Sequence, residues 1–572
     1  MNRWSQASAI LGSVVWLGLW MSPPPSLGLI ERLLMLAVLV FTPLCIQLTA
    51  TPDRNGHHPL PYRIAKILQP FAAVSAVIAF LLPAGTKAAF FTMPWLLLTA
   101  MLALHGVIRL LPRGLARADE LAVDAGLIYI SVGGVWLFLS RLGARPLGFS
   151  AVIVLLTAVH FHYSGFAAPI IVGMTGRHLA ESDPTSWPTF RVLAVAVILG
   201  TPLLAVGITF SRTLETLAAL LLAGSLFAFS FVVIFDVAAS LDSTLARILL
   251  RCSGASCALA MFAACVYATG AAGGSRAMAI PEMARLHGML NSLGFVFCGL
   301  VAWMIARPSA RLADPGVPFS RLASWFRVGP DFFARIHAVS TAGHPSGLVD
   351  DLSEYRRADF DPNEVHPFVR AFYTDTAHHE LIVSAEWRRG FRFAARIYKK
   401  MAAIVGQMNL PLADEQALSI SSRILPIRDE VDGRQNVRAW VRTYSDSGIA
   451  VYVAAYANHS ACGETYMNIA FPLPGGNLSS ILRMEILDAG GVLLTTFPSP
   501  HEFGDQGVYF ANRLVPIRLP FNETIRVWPV NTPGCVVPEP VTRKKATAIA
   551  KHEVWLFSTK FLTLDYHIFP IQ

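Results

Sequence analysis

Two histidines stand two residues apart in the middle of Leu147–Gly173, LGFSAVIVLLTAVHFHYSGFAAPIIVG, a segment long and apolar enough to cross a bilayer. Imidazole ligates metals and carries protons near neutral pH. An ionisable side chain at membrane depth is costly, which marks it as a functional candidate. His160 and His162 are therefore the first residues to ask about chemistry. His105, Asp124, Asp236 and His287 complete the ionisable set of the apolar segments, and Asn291 follows His287 by one turn. A divalent metal held by His160, His162 and His287 is one arrangement these residues suggest. On a straight helix, residues two apart point about 200° from each other. A shared metal would need a break in the helix, for which Gly165 and Pro169 supply a place. Without a break, one histidine faces the site and the other packs elsewhere. The plainer alternative is that each histidine hydrogen-bonds a neighbouring helix. Asp124 and Asp236 lie near interfaces, where snorkelling or capping is as natural a role as catalysis.

These residues need membrane helices to position them. The chain is 54% hydrophobic and 15% charged, with mean hydropathy +0.50, which excludes an ordinary soluble globule. Ten segments have the length of spans: 7–21, 27–49, 64–83, 89–111, 121–140, 147–173, 190–209, 214–237, 245–270 and 282–306. The first follows Arg3 and is short, yet lacks the small-residue cleavage site of a signal peptide and ends at Pro23-Pro24-Pro25. It reads as a span. Basic residues favour the cytoplasmic side. Arg54, Arg63, Lys66, Arg109, Arg113, Arg117, Arg177, Arg191, Arg247, Arg251, Arg307, Arg311, Arg321 and Arg327 fall on one side, against Lys87, Arg141, Arg145, Arg212, Arg276 and Arg285 on the other. Both termini are thus expected in the cytoplasm.

The net charge of +9 is scattered singly between apolar runs rather than gathered into a patch. That is the pattern of loop anchors and argues against nucleic acid as a partner. Of seven cysteines, Cys45, Cys252, Cys257, Cys265 and Cys298 lie in or beside apolar segments, and only Cys462 and Cys535 in the polar half. With no CxxC, they read as small buried apolar residues rather than zinc ligands.

Past Ala306 the character of the chain changes. A membrane domain over 1–306, a linker over 307–329 and a soluble cytoplasmic domain over 330–572 are expected. Pro362 and Pro367 cannot share one regular helix, so a helix is predicted to start at Pro367, with Phe368, Ala371 and Phe372 on one face. Trp387–Val405 is predicted as an amphipathic helix. Trp387, Phe391, Ala394, Tyr398, Met401 and Val405 fall on one side, and Arg388, Arg389, Arg392, Arg396, Lys399 and Lys400 on an opposite arc. Such a helix either lies on an anionic membrane surface or covers the sheet and turns its cations to water. After about Leu418 the period becomes two. Hairpins are predicted through Ser445-Asp446-Ser447-Gly448 and Asp488-Ala489-Gly490-Gly491, with further strands near 464–471, 514–519, 523–528 and 553–563. The fold class is a polytopic α-helical bundle of about ten spans, followed by an α+β domain dominated by antiparallel sheet. No phosphate loop, nucleophile elbow or dinucleotide fingerprint occurs.

His160-Phe161-His162-Tyr163-Ser164-Gly165-Phe166 with Pro169, and Leu286-His287-Gly288 with Asn291 and Gly294-Phe295, resemble the hallmarks of the YndJ-like family of bacterial membrane proteins. The resemblance covers roughly 30–306. The later stretch around Asp359-Phe360-Asp361-Pro362 is similar to the extension that many such proteins carry. The family implies a bacterial plasma-membrane location and brings no known activity, so no catalytic residue is carried over. Three classes of function remain open. One is a metal- or proton-dependent membrane enzyme acting on a lipid-soluble substrate. Another is a proton-coupled transporter. The last is a membrane-anchored sensor or accessory protein whose soluble domain binds lipid or a partner.

Overall fold

The computed structural model describes residues 3–53, 56–182, 187–272, 280–309, 316–413, 415–461, 463–498, 504–535, 537 and 545–571. Arg54, Arg276, Arg311 and Cys462 lie outside the described residues. The chain divides into two compact units, Met1–Asp314 and Pro315–Gln572.

Nine helices of the first unit are long and apolar enough to cross a membrane, among the described residues: Leu29–Leu48, Leu60–Leu81, Thr86–Arg113, Ala118–Leu142, Ala151–Ser182, Trp187–Phe210, Arg212–Ser240, Thr244–Gly270 and Pro281–Ala306. The first of the ten expected segments is also helical, over Arg3–Met21, but is not among these nine. It packs on the bundle through Trp16, whose indole donates to the Arg32 carbonyl at 2.8 Å. Four of the long helices carry a π-helical stretch, at Ala37–Phe41, Tyr163–Ala167, Val232–Val237 and Leu290–Phe297. π-bulges inside α-helices gather at functional sites.

The second unit is a closed antiparallel β-barrel. Its strands are β1 (His379–Trp387), β2 (Leu418–Pro426), β3 (Arg438–Tyr444), β4 (Ala450–Ala461), β5 (Glu464–Leu473), β6 (Gly476–Leu487), β7 (Gly491–Thr495), β8 (Gly507–Ala511), β9 (Ile517–Arg518), β10 (Phe521–Pro529), β11 (Ala548–Leu556) and β12 (Thr559–Pro570). The order β5-β4-β3-β2-β1-β12-β11-β10-β7-β6 closes because β6 also pairs with β5. β8 extends the free half of β6's edge, and β9 follows it. Closure removes the sheet edges that would otherwise invite aggregation.

The two expected hairpins are present as β3–β4 and β6–β7. The 553–563 segment is instead the tip of a long β11–β12 hairpin. The helix predicted at Pro367 runs Pro367–Thr374, capped by the His366 ring, though Phe368 turns outward and Val369, Phe372 and Tyr373 are buried. Val317, Leu322 and Val328 are buried in the barrel unit, so its packed chain starts well before residue 330.

Candidate functional site

The segment containing the histidine pair is helical over Ala151–His162, π-helical over Tyr163–Ala167 and helical again over Ala168–Ser182. The change of pitch starts immediately after His162, so it does not bring the two imidazoles together. His162 is fully buried. Its Nε2 accepts from the Trp95 indole at 3.1 Å and its Nδ1 lies 2.7 Å from the Ala158 carbonyl. Gly133 makes room for it, since a Cβ there would stand 2.8 Å from His162 Nδ1. His160 faces the other way, is exposed, and bonds the Leu156 carbonyl at 3.0 Å.

His287 is half-buried, bonds the Ala260 carbonyl at 3.0 Å through Nδ1, and lies within electrostatic reach of His160. Asn291 holds the His287 carbonyl at 2.8 Å, and the π segments Tyr163–Ala167 and Leu290–Phe297 touch. The expected trio His160, His162 and His287 is therefore not one cluster. Both ring nitrogens of His162 are engaged elsewhere, and among the described residues no group of three or more His, Cys, Asp or Glu side chains is placed to hold a metal ion. His105 is buried against Tyr62, ring centroids 5.1 Å apart. Asp236 is exposed.

Asp124 is neither snorkelling nor capping. It is fully buried and bonded to Arg109 at 2.6 Å and Arg113 at 2.8 Å. Glu120, one turn earlier, takes Arg109 at 2.6 Å and both Nε and Nη2 of Arg177 at 2.9 Å. Arg109 also donates to the Thr49 carbonyl at 3.0 Å and to the Thr51 hydroxyl, and Arg177 to the Leu48 carbonyl at 3.1 Å. These arginines thus satisfy carbonyls at the end of Leu29–Leu48 while neutralising acids in the first turns of Ala118–Leu142. The bidentate fork of Arg177 on Glu120 is the strong form of such a contact. Glu120 and Arg177 were missed as site residues. The signal was present in the acidic pair Glu120/Asp124 and the basic pair Arg109/Arg113, each spaced one helical turn apart on helices joined by a short loop.

The basic helix begins later than expected, at Arg392, because Trp387 ends β1 and donates its indole to Pro411 at 2.9 Å. It buries a small-residue face, Ala395 and Ala402, with Tyr398 partly covered. Arg388, Arg389, Arg392, Arg396 and Lys400 are exposed, while Lys399 bonds Glu415. The stripe Phe393, Ile397, Met401 and Ile404 is exposed as well, Phe393 by 75%.

The barrel lumen gathers a polar group that sequence reading did not single out. Trp440 and Arg442 point inward from β3, toward Tyr452 and Tyr456 on β4, Glu523 on β10, His552 on β11 and Tyr566 on β12. Burial alone would raise Glu523, but the His552 imidazole at 2.7 Å, the Ser480 hydroxyl and the Arg442 cation together outweigh it and hold the carboxyl below the usual glutamate range. Burial pushes the Tyr566 hydroxyl up to about 12.

The YndJ-like protein family model matches residues 32–295, most of the helical unit. The chain is similar to "Uncharacterized membrane protein YndJ" of Bacillus subtilis (strain 168), 30% identical over 574 aligned positions that cover 99% of this chain and 98% of that relative. No solved structure matches.

Proposed function

The chain belongs to the YndJ-like family of membrane proteins, and from that premise we propose that it is a membrane-anchored sensor or accessory protein whose β-barrel docks on an anionic bilayer surface. The observation that carries this reading is the outer face of Arg392–Val405. Phe393, Ile397, Met401 and Ile404 form an exposed stripe at helical spacing, uncovered by the described residues. Backbone bonds from Val328 to Val405 and from Gly329 to Gly406, at 2.7 and 2.9 Å, bring the loop of Trp325 and Phe326 to the helix end. Those two rings are 99% and 61% exposed, and Trp is an interface-seeking residue. Arg327, Arg392, Arg396 and Lys400 rim the same surface, also exposed. Apolar side chains enter the acyl boundary while each cation near an anionic surface contributes about 1 kcal/mol.

The test places an environment-sensitive dye at a Phe393→Cys position of the full chain in nanodiscs. Doxyl-labelled lipid should quench it when the disc contains phosphatidylglycerol, and quenching should weaken as ionic strength rises or when phosphatidylcholine alone is used. A dye that is never quenched faces water, and the docking reading falls.

A further inference from the structure

The barrel lumen holds several hydrogen-bond donors with no acceptor among the described residues. Arg442 sits between two rings, its guanidinium carbon 3.9 Å from the Trp440 centroid and 4.2 Å from that of Tyr452. Its Nη2 reaches the Tyr456 hydroxyl only at 3.4 Å, and its Nε makes no hydrogen bond. The Trp440 indole N–H and the Tyr373 hydroxyl, on the same cavity wall, are likewise without a partner among the described residues. All three side chains are more than nine-tenths buried. A buried donor left unpaired is costly, and native proteins rarely tolerate several together.

The chemistry of the set is one-sided. An indole N–H can only donate, a guanidinium can only donate, and the phenol can donate once. Their common complement is an acceptor, and the fixed cation makes it an anion. A guanidinium fork with adjacent donors matches the two oxygens of a carboxylate. Glu523 lines the same lumen and lies within electrostatic reach of Arg442, but its hydrogen bonds go to His552 and Ser480 and leave the Arg442 fork free to take a second acceptor. The remaining walls are apolar, with Leu381, Met467, Ile469, Leu494 and Ile568 among them. Closed barrels of this size commonly enclose one small ligand, and a mostly apolar pocket with a few converging polar groups is the usual form of such a site.

We propose that the barrel binds an amphiphilic carboxylate, its acid group held by Arg442, Trp440 and Tyr373 and its hydrocarbon chain lying among the apolar walls. The docking surface shares no residue with this lumen, so the inference goes beyond the reading above and can fail separately from it.

The experiment is equilibrium dialysis of radiolabelled octanoate against the full chain in nanodiscs. Identical nanodiscs without the chain account for partition into lipid. The expected result is a saturable component of one octanoate per chain, weakened at least tenfold by Arg442→Gln and not displaced by octan-1-ol, which has the chain without the charge. Trp440→Phe and Tyr373→Phe keep the rings and remove one donor each. Both should weaken octanoate severalfold, and they carry the test if Arg442→Gln does not fold. Equal uptake by wild type and the folded variants, or equal competition by octan-1-ol, overturns the proposal. A Phe393→Ser, Ile397→Ser variant that loses bilayer docking should keep octanoate binding, which separates the two readings.

Discussion

Glu120 accepts from Arg109 and Arg177, residues on two different helices, with its own side chain fully buried. Removing one partner of a buried charge pair leaves the others uncompensated, which costs about 3–5 kcal/mol. Glu120→Gln should therefore lower the melting temperature of the detergent-purified chain by several degrees. Asp236→Asn, at an exposed carboxylate, should leave it unchanged, and equal melting of the two variants would show that the charge network bears no load. Asp565 on β12 provides an opposite case. Burial raises its pKa, with Lys551 at 3.8 Å too distant to cancel the effect. A carboxyl whose folded pKa lies above its unfolded value stabilises the fold below the unfolded pKa, and that contribution is lost as pH rises through the folded one. Asp565→Asn, which mimics the protonated form, should thus melt higher than wild type at pH 7. The gain should vanish near pH 3. A gain independent of pH would assign it to packing rather than to charge.

At the scale of elements, legibility followed how many faces a segment buries. The membrane helices were readable because lipid and protein both accept apolar side chains, so hydropathy alone marks them. Their π segments were not, since Tyr163–Ala167 and Leu290–Phe297 use the same residue types as the α-helix around them. The β3–β4 hairpin is legible from its period of two, but alternation alone does not say what each face meets. The strand buries both faces, Ala439 and Val441 beneath the segment containing Leu322, Val328 and Phe332, and Trp440 and Arg442 in the lumen. β1 was hidden for a related reason: His379–Trp387 runs directly into the basic helix, and the helical period of the second was extended back over the end of the first. The same overreach chose the wrong apolar face for Arg392–Val405. Small Ala395 and Ala402 do the packing, and large Phe393, Ile397 and Met401 are left outside. A count of hydrophobic residues cannot tell a face that fits closely from one that does not.

For the whole molecule, the question that remains physical is which side of the bilayer each terminus occupies. Counting from Leu29–Leu48, the loops after the first, third, fifth, seventh and ninth helices fall on one side. That side collects Arg63, Lys66, Arg113, Arg117, Arg177, Arg191, Arg247, Arg251, Arg307, Arg321 and Arg327 among the described residues. Lys and Arg are retained on the cytoplasmic side of short loops, so the C-terminal barrel is expected there whether or not the first helix crosses. The N-terminus depends on Arg3–Met21. Its 19 residues span about 28 Å at 1.5 Å each, close to the thickness of a bilayer core. Ile10, Leu11, Val14 and Leu17 are at least half exposed along it, an arrangement that lipid would cover and water would not. It should cross, which returns the N-terminus to the cytoplasm. A phosphatase or fluorescent reporter fused at either end reads this directly. Cytoplasmic behaviour at both ends is expected. A periplasmic N-terminus alone would mean that Arg3–Met21 lies along the interface, whereas a periplasmic C-terminus would overturn the loop-charge argument and with it the bilayer face assigned to the basic helix.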